Sequence, residues 1–300
     1  MEIIKSVDEL SDLLKLDKKL INWLIYGEKS KQYSQFEIKK SNGNIRTIFN
    51  PVFSLKVIQR WILEKILYDH PISRYSYGFK RDSGSPILHC LEKHRNNTYF
   101  LKIDIKDFFP SIDFKRVLYI FATIGFDKTI SYALTRLCTY NDMLPTGAVT
   151  SPYISNLVCR KLDSRISTYC NKRDIVYSRY ADDLIFSNNN RNDLKRIFNF
   201  VKSIIEDEGF AINETKTRFI TPKSRKKILG LNIDNNCVYA PRELKRKVRA
   251  MTFYSIKNND LKTRKELEGY VAFIESIEPN YRDRFDKYYE KVKNKFGINN

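Results

Sequence analysis

Two adjacent aspartates, Asp182 and Asp183, stand in YSRYADDLIFS (177–187), a stretch otherwise rich in β-forming residues. Neighbouring side chains on a strand face opposite ways, so the pair can serve one site only if the chain bends at it. A tight hairpin between YSRYA and LIFS supplies that bend; the alternative is that both acids decorate an exposed turn, where aspartate is favoured. A third acid, Asp104, lies near the end of the apolar run TYFLKIDI, whose flanks suit a strand packed beside the first. Three carboxylates brought together are costly unless protons or cations neutralise them. Divalent metal is the natural solution, because hard Mg²⁺ takes oxygen ligands and keeps positions for water or phosphate, as in two-metal phosphoryl transfer. In that chemistry one ion would activate a 3′-hydroxyl, while the other would hold a triphosphate and its leaving pyrophosphate.

The elements that must hold these acids follow from hydrophobic period and turn residues. Ser6 with Glu9 forms a capping box ahead of Leu10, Leu13 and Leu14, predicting one helix at the start. Strands over Phe36–Lys39 and Ile45–Phe49 flank a turn at Ser41-Asn42-Gly43, giving a basic hairpin. An amphipathic helix then ends before Pro71, and Gly78, Gly84 and Pro86 mark a loop. After the Asp104 strand, Pro110 suits the first turn of a helix reaching about Ile124. LPTGAVTSP reads as a loop that becomes a helix with Leu157, Cys159, Leu162 and Ile166 among its apolar positions, and another helix runs from Asn192 to Glu208 until Gly209 stops it. Short strands follow in FAINETKTRFIT and KILGLNIDNNCVYA, separated by a basic loop, and the chain is helical and basic from Arg242 onward.

With 300 residues, 42% of them hydrophobic and 13% aromatic, the chain can bury a sizeable core, which excludes general disorder. Its 54 Lys+Arg against 35 Asp+Glu give a net charge of +19, which favours a polyanionic partner over a small acidic metabolite, the alternative being a generally basic surface. Cys90, Cys138, Cys159, Cys170 and Cys237 are scattered and lack the close pairs of a zinc site, so reduced structural thiols are expected. Neither a signal-peptide pattern nor an 18-residue uncharged run occurs, so a soluble cytoplasmic protein without a membrane partner is expected.

Taken in order, IDIKDFFPS, LPTGAVTSP, YADD, GFAINETKT and ILG resemble the motifs of bacterial reverse transcriptases, most closely those of retrons, with group II intron enzymes as relatives. The resemblance spans about residues 36–250. It implies an α/β right-hand polymerase with an N-terminal helix and fingers over 1–100, a palm over 101–240 and a helical basic thumb over 241–300. It implies two Mg²⁺ ions held by Asp104, the Ile105 carbonyl, Asp182 and Asp183; Asp107 and Asp113 do not match ligand positions and read as helix-start and surface acids. Phe109 matches the aromatic that lies under the incoming sugar and excludes a 2′-hydroxyl, with Phe108 as the alternative. In the loop near the templating pair, Gly147 lets backbone approach the substrate, while the family often has Gln where Thr146 stands. Lys216 matches a lysine that protonates the leaving pyrophosphate, and Arg46 a fingers residue whose planar donor fork holds the triphosphate. A solvated lysine and an exposed hairpin arginine are the alternatives. ILGLNID (228–234) matches the hairpin that grips the primer end.

Two retron features are altered. An Asn-Ala-x-x-His element aligns with ILHCLEKH, which keeps His94 but has Cys90 and Leu91 in place of Asn and Ala, and Ile228-Leu229-Gly230 replaces Val-Thr-Gly. His94 is a candidate RNA contact, with a solvated basic face beside Lys93 and Arg95 as the alternative. Arg242, Lys245, Arg246 and Arg249 recur at three- and four-residue spacing, a stripe suited to a phosphate backbone. For a retron enzyme the resemblance implies RNA-directed DNA synthesis from deoxynucleoside triphosphates, with a structured non-coding RNA as template and primer. It further implies a branched RNA-linked DNA product and an antiphage role with a separate effector protein. A group II-like or other defence-associated reverse transcriptase is the first alternative. The second is an RNA-binding scaffold that assembles an effector, although such a scaffold needs none of the acids, Lys216 or Phe109.

Overall fold

The computed structural model describes residues 4–39, 43, 45–80, 84–224 and 226–296. At the start, the Ser6 hydroxyl accepts from the Glu9 amide and opens α1 (Val7–Leu14), which ends at Lys15 in the left-handed conformation (φ 52°). Asp17 accepts from the Lys19 and Leu20 amides and opens α2 (Lys18–Tyr26). The single helix expected here is therefore two, since a C-cap and an N-cap are crowded between the leucines. Next, β1 (Tyr33–Lys39) and β2 (Ile45–Pro51) pair antiparallel from Tyr33 opposite Pro51 to Lys39 opposite Ile45. Both strands extend further than expected, and Ser41 and Asn42 of the anticipated turn lie outside the described residues. The segment beyond holds α3 (Phe53–Lys65) and α4 (Pro86–Glu92), the latter capped by Ser85.

A four-stranded antiparallel sheet positions the acids. It comprises β3 (Tyr99–Asp104), β4 (Val176–Tyr180), β5 (Asp183–Asn188) and β6 (Arg218–Ile220) in the spatial order β4-β5-β3-β6. Strand alternation divides its faces. Leu101, Ile103, Leu184 and Phe186 join the main core with α5 (Phe114–Ile124), α6 (Lys128–Cys138), α7 (Ser151–Val158), α8 (Arg160–Asn171) and α9 (Arg191–Asp207). Each fully buried Leu or Phe contributes about 1.5–3 kcal/mol relative to exposure. On the other face, Phe100 and Ile185 pack with Cys90 and Leu91 of α4. Ile228, Leu231 and Ile233 of a second sheet, formed by β7 (Lys227–Ile228), β8 (Leu231–Asp234) and β9 (Cys237–Tyr239), complete that cluster.

Pro110 does not open α5. The helix starts at Phe114, where Asp113 accepts from the Arg116 amide at 2.9 Å; Pro110 lies in a preceding turn in which Asp107 has φ 46° and its carbonyl accepts from Ser111. Sequence reading passed over α6, and the helix expected after LPTGAVTSP breaks at Cys159 into α7 and α8. At the C-terminal end, α10 (Arg242–Lys257), α11 (Leu261–Glu275) and α12 (Tyr281–Lys295) enclose a small core of Val248, Leu267, Val271, Ile274 and Phe285. All five cysteines are free, with only Cys237 exposed. Among the described residues no helix is long and apolar enough to cross a membrane.

Candidate active site

Strands β4 and β5 are joined by two residues, Ala181 and Asp182, with Tyr180 opposite Asp183. Ala181 has φ 56°, the left-handed conformation that one of the two-residue hairpin turns requires at its first position and that glycine usually supplies. The turn takes Asp182 off the strand, which is the bend two adjacent acids need to serve one site. Register does the rest: Asp104 on β3 stands directly opposite Asp183 on β5, and the Ile105 amide donates to the Asp182 carbonyl at 2.9 Å. Like charges placed opposite each other across strands repel, so the arrangement demands neutralisation. Two lysines supply it. Lys102, two residues before Asp104 and on the same face, places Nζ 2.8 Å from Asp183 Oδ2. Lys216, on a short helical turn tied down by the Asn213 amide donating to the Asp104 carbonyl at 2.8 Å, places Nζ 3.0 Å from both Asp104 carboxylate oxygens.

The fields of these groups reach one another. Burial pushes the Asp183 carboxyl up to about 6; Asp182 and Asp104 push the same way, and Lys102 opposes them. Burial also raises Asp182, against its own backbone amide, with Asp104 adding to the rise and Lys216 and Arg46 opposing it. Asp183 Oδ1 is buried and has no hydrogen-bond partner among the described residues. As they stand, no group of three or more His, Cys, Asp or Glu side chains among the described residues is arranged to hold a metal ion. Asp104 and Asp183 hold ammonium groups instead. An all-oxygen donor set with one orphaned carboxylate oxygen and cations already drawn to the others fits a hard divalent ion.

Around this centre, Phe108 is buried and stacked on Phe210 at 6.0 Å, whereas Phe109 is half-buried, with Phe79 5.9 Å away. Arg46 is exposed on β2, and its charge is felt at Asp182. The Thr146 carbonyl accepts from the Phe49 amide at 2.8 Å. Gly147 has φ 120°, and a Cβ there would lie 2.7 Å from the Phe49 carbonyl oxygen, so only glycine lets this loop lie against β2. At the β7–β8 turn, Leu229 and Gly230 both have positive φ (50° and 84°), the two-residue hairpin form that suits strand twist.

Two expectations need correction. His94 is not a surface residue: it is fully buried, Nε2 lies 2.7 Å from the Ser178 hydroxyl and Nδ1 2.7 Å from that of Ser187. Burial lowers its pKa to about 3, so the ring is a neutral core group, while Lys93 and Arg95 beside it are exposed. Lys245 is not part of an open basic stripe, because Nζ lies 2.6 Å from Glu278 Oε1 and ties α10 to the α11–α12 connection. Arg242, Arg246 and Arg249 remain exposed, with the Arg249 guanidinium over the Tyr288 ring. Sequence reading also missed Lys102, although its two-residue spacing from Asp104 on a strand places both on one face. Phe79 and Arg179 were missed as well, and for these only tertiary packing reveals the position.

Residues 38–233 match the family described as reverse transcriptase (RNA-dependent DNA polymerase). The chain is 32% identical to the retron Ec86 reverse transcriptase of Escherichia coli, over 100% of this chain and 93% of that protein. It is 30% identical to the retron Ec73 reverse transcriptase of the same organism, over 86% of this chain and 88% of that protein. In backbone, it resembles telomerase from Candida albicans, solved with a fragment of telomeric RNA, with a TM-score of 0.51 and 11% identity over 94% of this chain and 59% of that one, a likeness of fold alone. A sheet end that gathers Asp104, Asp182 and Asp183, carried on a mixed helix-and-strand right-hand fold, is thus explained by descent: the chain belongs to the reverse transcriptase family, among the retron enzymes, and is an RNA-directed DNA polymerase.

Proposed function

We propose that this chain is the polymerase of a retron, copying a structured non-coding RNA into DNA that stays joined to it through a branch at an RNA 2′-hydroxyl. The observation that carries the reading is the opposition of Asp104 and Asp183 across β3 and β5, with Asp183 Oδ1 buried and unpartnered among the described residues. Asp104, Asp182, Asp183 and the Ile105 carbonyl would hold two Mg²⁺ ions. When bound, the ions supply Lewis acidity at the attacking hydroxyl and charge neutralisation at the phosphates. The other roles belong to the chain itself. Phe109, left at the rim while Phe108 is buried, lies under the sugar of the incoming deoxynucleoside triphosphate and excludes a 2′-hydroxyl. Arg46 holds the triphosphate, and Lys216, an ammonium beside Asp104, donates a proton to the leaving pyrophosphate. Thr146 and Gly147 shape the floor near the templating pair.

Residues 1–100 then form the N-terminal helices and fingers, 101–240 the palm and 241–300 the thumb, whose Arg242, Arg246 and Arg249 follow the RNA backbone. The partners are the structured RNA, its DNA product and a separate effector protein, acting together against phage in the cytoplasm. The test is to purify the protein with the nucleic acid it carries, add Mg²⁺ and deoxynucleoside triphosphates, and sequence the product. A DNA strand joined to one defined RNA supports the reading. RNA bound without any DNA synthesis moves it to the scaffold alternative, and synthesis without a branch moves it to another reverse transcriptase class.

A further inference from the structure

On the sheet face opposite the acids, Arg179 of β4 is fully buried. Its Nε and Nη2 each donate to Asp163 of α8 at 2.8 Å, and the Tyr177 hydroxyl donates to the same carboxylate at 2.7 Å. The remaining nitrogen, Nη1, donates to Asn156 Oδ1 at 3.0 Å and to the Ala181 carbonyl at 3.2 Å. Asn156 accepts from the Ser76 hydroxyl and donates to the Gly78 carbonyl, both at 2.8 Å. The segment carrying Ser76 and Gly78 closes over the turn so tightly that a Cβ on Gly78 would lie 2.7 Å from the Ala181 nitrogen.

A buried ion pair is weak grounds for stability, because desolvating both charges offsets most of their attraction, and apolar groups of the same size often serve as well. Apolar groups cannot, however, hold the Ala181 carbonyl. Ala181 sits at φ 56°, which a residue with a Cβ keeps only when its surroundings over-determine it. The next carbonyl, that of Asp182, is fixed by the Ile105 amide at 2.9 Å. Two successive carbonyls of the turn are therefore anchored, one from beneath the sheet and one from the neighbouring strand.

We propose that Arg179, oriented by Asp163, is the positioning residue of the catalytic turn: its Nη1 fixes the Ala181 carbonyl and so the direction in which Asp182 and Asp183 present their carboxylates. The proposal rests on the reading that these acids hold the metal ions. The test is the double variant Arg179→Met with Asp163→Asn, which removes both charges at similar volume and leaves an acceptor for the Tyr177 hydroxyl. It is expected to fold, to lose roughly 10- to 100-fold in kcat, in line with the effect of an ångström-scale misplacement, and to need more Mg²⁺ for half-maximal activity. KM for the deoxynucleotide should stay near wild type. A purely structural role leaves the Mg²⁺ midpoint of the folded fraction unmoved, so wild-type kcat and midpoint in the folded variant overturn the proposal. Should the double variant not fold, Arg179→Lys decides, since it keeps a charge beside Asp163 but lacks the planar fork. A lower kcat with a raised Mg²⁺ midpoint supports the assignment, and wild-type values overturn it. Asp182→Asn, measured alongside, separates the two failures: an active Asp182→Asn sinks the metal reading and this proposal with it, whereas an inactive one beside wild-type-like Arg179 variants sinks this proposal alone.

Discussion

At the end of the β3–β5 ladder, three acids and two lysines are held by register, a two-residue turn and hydrogen bonds of 2.8 to 3.2 Å from both sheet faces. On α10, Arg242, Arg246 and Arg249 are exposed side chains on one helix, the Arg249 guanidinium lying over the Tyr288 ring. The first region handles charge by burying it, so position decides its chemistry. The second handles charge by leaving it wet, so what counts there is the number of cations near a phosphate chain. Changes at the sheet end should therefore produce large effects that depend little on salt, and changes on α10 small effects that salt controls.

The sharpest break is Asp182→Asn or Asp104→Asn. Either should lower DNA synthesis by at least about a thousandfold, of the order seen when an essential charge-stabilising group is lost, while RNA affinity changes less than about twofold. Single-turnover extension and a filter-binding titration on the same preparations read both quantities. Extension at the wild-type rate by either variant would remove these carboxylates from the chemistry and collapse the contrast between the two regions.

His94 extends the contrast to pH. Its folded pKa, about 3, lies below the ordinary histidine value of 6.5, because burial between Ser178 and Ser187 disfavours the imidazolium. Between those values the unfolded chain binds the extra proton, so stability should be full above about pH 6.5 and fall as pH drops toward 3. The full shift corresponds to roughly 5 kcal/mol at about 1.4 kcal/mol per pH unit. Urea unfolding of wild type and His94→Gln across this range isolates the contribution as the difference between two curves. Parallel curves would show that the ring is not buried in its neutral form.

How much of this was legible follows from range. Asp104, Asp182 and Asp183 were legible because strand period and turn chemistry are local, and local patterns show which face a residue takes. The break between α1 and α2 was equally local, in Lys15 to Asp17, yet the leucine period across it masked the two caps. His94 was misplaced for a different reason: with exposed Lys93 and Arg95 on either side, only the tertiary approach of Ser178 and Ser187 shows that the ring points inward. Lys245 has the spacing of its arginine neighbours, and its partner Glu278 lies 33 residues away on another element. Long-range pairing of this kind leaves no period to read.

A smaller effect is expected at Phe109. Replacement by Val should open room for a 2′-hydroxyl and raise ribonucleotide incorporation relative to deoxynucleotide by about 10- to 100-fold, the scale on which pocket volume discriminates. Single-nucleotide kinetics with matched ribo- and deoxynucleotides give the ratio. If the ratio stays fixed, the sugar is gated by another side chain, and the half-buried position of Phe109 beside Phe79 is packing only.

The smallest effect, and the one that sharpens the comparison most, is on α10. Changing Arg242, Arg246 and Arg249 together to Gln removes exposed cations without opening the helix core, because Val248, Thr252, Ser255 and Ile256 carry the burial on that helix. Each phosphate that is no longer neutralised should flatten the log–log dependence of RNA affinity on salt by about 0.7 to 0.9. The variant's line should therefore be shallower, with the largest drop in affinity at low salt, while DNA synthesis at saturating RNA is unchanged. Lys245→Gln is the matched contrast. Its ammonium is held by Glu278, which also accepts from the Ala240 amide at 2.9 Å, so the change should lower the thermal stability of the α10–α12 unit and leave the salt slope alone. Parallel lines for the triple arginine variant and wild type would mean that α10 faces water rather than RNA, and the basic surface that serves the nucleic acid would then have to lie on another part of the chain.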